Sequence, residues 1–263
     1  MRLGIIGYGA IAHELLSVLA QEGAMPETVI VLTRDPAQAN GQMPGLQTVA
    51  TAAELVAARP DLVIECAGAS AVREHIATCL SGGIDTVIAS VGALADSGLH
   101  DALRNAAQQG KSRLILPAGA LGGVDLLAAL RPSGIEELVY TGRKPPAAWR
   151  GSPAEKLVDL DRLSAPVTFF EGDAAQAARD FPKNANVAAT LALAGPGFAA
   201  TRVQLVADPD ASGNLHEVSV RAGVGNFHIR IEGRPAPDNP RSSLTTVYSL
   251  AREVLNHSRE VAI

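Results

Sequence analysis

The 263 residues carry 22 Lys and Arg against 27 Asp and Glu, a formal net charge of -5 with no basic run, which argues against a nucleic-acid partner. Hydrophobic residues make up 47% and charged residues 19%, a balance that excludes a disordered chain and leaves room for one or two cores. Apolar stretches are all broken short of a membrane span and no charged segment leads an apolar one at the N-terminus, so no membrane, no signal peptide and a cytoplasmic location are expected. Only 3% of residues are aromatic, so the core is built from Ala, Val, Leu and Ile. Cys66 and Cys79 lack metal-ligand spacing; they read as buried thiols in a reducing compartment, and no metal is expected.

The first half alternates strand and helix patterns. Residues 2–6 form a strand, and 10–22 carry Ile11, Leu15, Leu16, Val18 and Leu19 at helical spacing. A strand at 28–32, a helix at 51–58 and a strand at 62–65 follow. Then come a helix at 71–81, a strand at 85–89, a helix at 96–109 with Asp96 or Ser97 as its N-cap, and a strand at 113–116. This order predicts an α/β fold with an N-terminal Rossmann-type, doubly wound parallel sheet.

From there β patterns dominate, at 135–141, 168–171, 201–207, 215–222 and 227–233, with helices at 122–130, 174–181 and 186–194. They predict an α+β second domain with a mixed or antiparallel sheet. Residues 144–152 read as a loop holding the chain's only Trp. A last helix over 243–257 is expected to pack back on the first domain. The expected division is a dinucleotide-binding domain over 1–116 and a substrate and catalytic domain over 117–242.

The first strand runs into Gly7-Tyr8-Gly9-Ala10-Ile11-Ala12 and then a helix, the context a dinucleotide turn requires. Gly7 permits the tight turn, Gly9 lets the backbone approach a pyrophosphate, and Ala12 lets helix and strand lie close. Gly7, Gly9, Ala10 and Ile11 are therefore candidate cofactor residues; the alternative is a plain βα turn. The second strand ends at Thr33-Arg34-Asp35. A carboxylate there marks an NAD site, whereas Thr33 and Arg34 suit a 2′-phosphate, and Asp35 could serve the ribose. Arg34 reads equally as a solvated loop charge, so the cofactor is NAD or NADP. The later strand ends are small and Gly-rich: Glu65-Cys66-Ala67-Gly68-Ala69, Ser90-Val91-Gly92-Ala93 and Pro117-Ala118-Gly119-Ala120. Ala67, Gly68 and Ala120 are candidates there, and Cys66 reads as an inert thiol.

Hydride transfer leaves the protein one proton to handle, and His is the commonest choice. His13, His75, His100 and His257 fall on helices and His228 in a strand, where packing or surface roles suffice. His216 opens a strand after the turn at 208–214. In Phe181-Pro182-Lys183-Asn184-Ala185-Asn186-Val187, Asn184 or Asn186 could cap a helix, or an Asn amide could bond the cofactor. Lys183, Asn184 and, near the second polar cluster Asn239-Pro240-Arg241-Ser242-Ser243, Arg241 are candidates for a substrate carboxylate.

These segments, in order, resemble the L-aspartate dehydrogenase family. The resemblance rests on Gly7-Tyr8-Gly9-Ala10-Ile11-Ala12, Glu65-Cys66-Ala67-Gly68, Pro117-Ala118-Gly119-Ala120-Leu121-Gly122-Gly123 and residues 181–189. Ala207-Asp208-Pro209, Asn214-Leu215-His216-Glu217 and residues 239–243 complete it. It implies NAD(P)-dependent oxidation of L-aspartate to an imine, then hydrolysis to oxaloacetate and ammonia, reversibly, or delivery of the imine to NAD biosynthesis. It also implies that His216 is the catalytic acid/base or orients the attacking water, and that Ala120 and Asn186 touch the cofactor. A homodimer is the expected assembly. The competing readings are a related reductase of homoserine-dehydrogenase-like or dihydrodipicolinate-reductase-like type, and an NAD(P)-binding regulator without turnover.

Overall fold

A computed structural model describes residues 1–35, 44–182, 185–233, 235–236 and 239–262, with the backbone alone described at 235–236 and 239–243. The chain divides into two compact units, Met1–Pro117 with Val247–Ile263, and Ala118–Thr246.

In the first unit, short runs rich in Val, Ile and Leu form strands β1 (Arg2–Ile6), β2 (Thr28–Leu32), β3 (Leu46–Val49), β4 (Leu62–Glu65), β5 (Thr86–Ile88) and β6 (Leu114–Ile115). All pair in parallel, in the order β3-β2-β1-β4-β5-β6. This is the doubly wound sheet expected from the alternation. The edge strand β3 is an addition: its polar, half-exposed Leu-Gln-Thr-Val carries no buried-strand signal. Register places Ile6 beside Leu32 and Glu65, and Glu65 beside Ile88, so the carboxyl ends of the central strands line up.

Among the described residues, four helices lie along the chain here: α1 (Ala10–Gln21), α2 (Ala52–Ala57), α3 (Ala69–Ser81) and α4 (Ser97–Gly110). Thr51 and Glu54 form a capping box at α2, and Asp96 caps α4 by accepting from the Leu99 N–H at 3.1 Å. The first unit's core gathers Leu3, Ile5, Leu15 and Leu19 with Val247, Leu250, Ala251 and Val254 from the last helix. That spacing puts the four on one helical face, and burying each large one is worth about 1.5–3 kcal/mol.

The second unit holds α5 (Val124–Leu130), β7 (Ile135–Lys144), β8 (Val167–Asp173), α6 (Ala174–Asp180), α7 (Asn186–Ala194), β9 (Thr201–Ala207), β10 (Asn214–Ala222) and β11 (Gly225–Gly233). Its sheet runs β11-β10-β7-β9-β8, with β7 and β9 parallel and the other pairs antiparallel, a mixed sheet. A small ribbon of β12 (Pro235–Ala236) and β13 (Asn239–Ser243) precedes α8 (Leu244–Ser258). The expected loop at 144–152 is instead ordered around its Trp. A 3-10 turn, Pro146–Trp149, seats the fully buried indole, which donates to the Val206 carbonyl at 3.0 Å and meets Phe169 edge-on. Among the described residues no helix is long and apolar enough to cross a membrane.

Candidate active site

Gly7 takes a φ of +91°, open to glycine without strain, and its N–H donates to the Leu32 carbonyl at 2.9 Å. A Cβ on it would lie 2.6 Å from the Ala67 Cβ, so the turn is pressed against the loop after β4. At Gly9, the N-cap of α1, a Cβ would meet nothing within 4 Å. No side chain caps α1, and its first turn carries no acidic residue. The leading N–H groups, at Ala10 and Ile11, have no intrahelical partner. This arrangement fits a dinucleotide pyrophosphate.

Sequence reasoning missed what braces the neighbouring loops. Glu65 ends β4 fully buried. Its Oε1 accepts from the N–H groups of Ala67 and Gly68, both at 2.7 Å, and from Ser90 Oγ at 3.0 Å; its Oε2 accepts from the Ser90 N–H at 3.0 Å. Burial raises its carboxyl above the ordinary range while these donors pull it back. One carboxylate thus ties the loop after β4 to the loop after β5. The available signal was a charge closing an otherwise apolar, buried strand. Next to it the Cys66 thiol is pushed up to about 12 by burial and by Glu65, which suits a packing role and no nucleophile.

At the end of β2, Thr33 is half-buried and its Oγ1 accepts from the Asp35 N–H at 3.3 Å, while Arg34 and Asp35 are exposed. The two cofactor readings of this segment both keep a suitable group.

In the second unit, Tyr140, Gly142 and Lys144 alternate onto one face of β7, opposite Val218 and His216 of β10. His216 pairs directly with Gly142 and is only 5% exposed. Its Nδ1 lies 2.9 Å from the Tyr140 hydroxyl, and its Nε2 has no hydrogen-bond partner among the described residues. Burial first, and then the Lys144 charge, lower the imidazole from 6.5 to about 4, so it is neutral at working pH. Burial lowers the Lys144 ammonium to about 8, and its Nζ sits 5.0 Å from the centre of the Trp149 ring. Burial raises the Tyr140 phenol far enough to keep it protonated. A neutral imidazole with one idle nitrogen, beside a perturbed cation, is the arrangement of an acid/base or substrate-orienting site.

The other histidines lack this setting. His228 is exposed and bonds Ser219 Oγ at 2.8 Å, and His13 packs edge-on against Tyr8. Ala120 is buried just after Gly119, which has a φ of +66°. Asn186 is the exposed first residue of α7; the N-cap is Ala185, with no side-chain cap hydrogen bond, so Asn186 is no cap. Lys183 and Asn184 lie outside the described residues, as does the side chain of Arg241. Tyr140 and Lys144 were missed. Only strand register, set by pairing across a long stretch of chain, puts them beside His216.

Comparison with known proteins gives two family models in tandem. A model described as the NAD-binding domain of homoserine dehydrogenase matches residues 7–117, and one described as the C-terminal part of aspartate dehydrogenase matches residues 125–257. An L-aspartate dehydrogenase of Polaromonas sp. is 43% identical over 266 residues, covering all of both chains. One from Pseudomonas aeruginosa is 41% identical, again over all of both chains. The crystal structure of aspartate dehydrogenase from Thermotoga maritima superposes with a TM-score of 0.79 at 26% identity, covering 100% of this chain and 99% of that one.

Proposed function

Because the chain belongs to the L-aspartate dehydrogenase family, we infer that it is an NAD(P)-dependent oxidoreductase converting L-aspartate to iminoaspartate, hence to oxaloacetate and ammonia, and the reverse. The observation that carries the reading is the buried His216, whose Nε2 has no protein partner among the described residues. The related reductases suggested by the nucleotide half alone are disfavoured, since the catalytic half matches the aspartate family.

The residues divide the labour. Gly7, Gly9, Ala10, Ile11, Ala67 and Gly68 hold the dinucleotide, with Thr33 and Arg34 toward its 2′ position and Ala120 and Asn186 as further contacts. When bound, the nicotinamide supplies the hydride acceptor. His216 orients the substrate nitrogen or the attacking water. It is a weak base for a substrate ammonium, because burial holds its own imidazole at about 4. Lys144, lowered to about 8, is better matched to that proton. Lys183, Asn184 and Arg241 are the proposed partners of the two substrate carboxylates. The proposed assembly is a cytoplasmic homodimer, which a solution mass of two chains would support.

The test is NAD(P)H formation with L-aspartate, against L-homoserine as control. His216→Ala is expected to lower kcat by at least about 10²-fold with little change in cofactor Kd. Near-normal turnover in that variant rejects His216 as the catalytic group; no turnover of aspartate by the wild type with either cofactor rejects the activity.

A further inference from the structure

We propose that Tyr140 is a positioning residue that locks His216 in the tautomer carrying its proton on Nε2, so that His216 acts on the substrate as a hydrogen-bond donor. This deepens the reading of His216 given above and rests on it.

The number of protons available to the two side chains fixes the tautomer. Tyr140 is 2% exposed, and among the described residues His216 Nδ1 is the one hydrogen-bond partner of its hydroxyl. A buried hydroxyl must donate, and here the imidazole nitrogen is the acceptor on offer. The contact is 2.9 Å long, and the two rings are within 19° of parallel with their centroids 6.0 Å apart. A neutral imidazole has one N–H; with Nδ1 accepting, that proton sits on Nε2. The other tautomer would have Nδ1 donate to the phenol oxygen. It would leave the phenol proton without an acceptor as well as an idle Nε2, one buried orphan more, at a cost of about 1–3 kcal/mol.

Gly142 makes the contact possible. Tyr140 pairs with Val218, and His216 with Gly142, so the two side chains are diagonal neighbours. The phenol reaches across by lying over Gly142, where a Cβ would stand 2.7 Å from its oxygen.

The chemical consequence is directional. An Nε2 donor accepts no proton from a substrate ammonium, but it binds a lone pair. In the aminating direction, the ammonia lone pair forms the C–N bond while the carbonyl π pair moves onto oxygen. The Nε2 N–H holds that oxygen by a hydrogen bond, and its own proton stays on nitrogen. By microscopic reversibility it holds the same oxygen when water has added to the imine and ammonia leaves.

The test is the nitrogen-15 NMR spectrum of His216 in the full-length enzyme at neutral pH, assigned by its loss in His216→Gln. The expected result is a protonated-type Nε2 and an unprotonated-type Nδ1; a protonated Nδ1 overturns the proposal. Tyr140→Phe should lose the single tautomer and lower kcat by about tenfold or more, the scale of one hydrogen bond, with cofactor Kd unchanged. Gly142→Ala, which displaces the hydroxyl, should do the same; unaltered kcat in both overturns the proposal. His216→Gln keeps an N–H near the Nε2 position and should exceed His216→Ala in kcat by about tenfold; equality of the two also overturns it. If His216→Ala itself turns over normally, the catalytic reading fails. If His216→Ala is inactive yet wild-type Nδ1 is protonated, only the tautomer assignment fails.

Discussion

The two units build their candidate sites from opposite materials. In the first, the working surface is backbone: Gly7 with its positive φ, Gly9 beside open space, and N–H groups at an uncapped helix start. Around the turn side chains matter by their absence, and Glu65 contributes by gripping the neighbouring loops from behind. In the second, the working surface is a crowded sheet face where burial shifts the protons of Tyr140, Lys144 and His216, and the Lys144 charge adds to the shift of His216. The first kind of site should be broken by adding atoms, and the second by changing protonation.

The largest effect tests the first half of that contrast. Gly7→Ala introduces a Cβ at positive φ and 2.6 Å from Ala67. Strain and overpacking together oppose the turn by about 2–5 kcal/mol, so cofactor Kd should rise at least about thirtyfold. Titration of the variant with NADH and NADPH reads this directly, and unchanged affinity would remove the turn from the cofactor site.

The next effect tests the second half. His216 titrates near 6.5 when unfolded and at about 4 when folded, so the unfolded chain binds the extra proton in that window. Its contribution to stability is present above pH 6.5 and is lost as pH falls toward 4, by about 3 kcal/mol in all. Denaturant unfolding of wild type and His216→Gln at several pH values isolates it, because Glu65, shifted the opposite way, is common to both. Parallel stability profiles would contradict the neutral, buried imidazole.

Glu65→Gln sharpens the contrast from behind the backbone. An amide nitrogen cannot accept from the N–H groups that now converge on the carboxylate, which costs about 1–3 kcal/mol. Thermal unfolding should fall by several degrees while the kcat of fully loaded enzyme holds. The smallest effect belongs to Arg34→Ala. An exposed pairing with phosphate is weak, so KM for NADP should rise by about fivefold at most and KM for NAD should not move. Equal changes for both cofactors would return Arg34 to the status of a solvated loop charge.

The same contrast explains what the chain discloses before folding. A backbone site leaves its mark locally, as glycines at fixed spacing between a strand and a helix, and the turn at Gly7 to Ala12 could be read residue by residue. The parallel order of the main strands followed from their alternation with helices; β3 escaped because an edge strand needs no buried run. A site on a sheet face leaves no such mark. His216 stood out through its turn and its family resemblance, but its partners on β7 depend on register with β10, which no local pattern encodes. Trp149 likewise sat in a stretch rich in Pro, Gly and Ala that looked like a plain loop, and only the packed indole shows why the segment is ordered.

That indole has an optical consequence. Trp149 is the chain's only tryptophan, and it is fully buried in the core of the second unit. Its emission therefore reports the melting of one half of the molecule and is silent about the other, while far-ultraviolet dichroism sums the two. If the halves unfold at different denaturant concentrations, the two signals will separate, and saturating dinucleotide should move the dichroism transition before it moves the fluorescence.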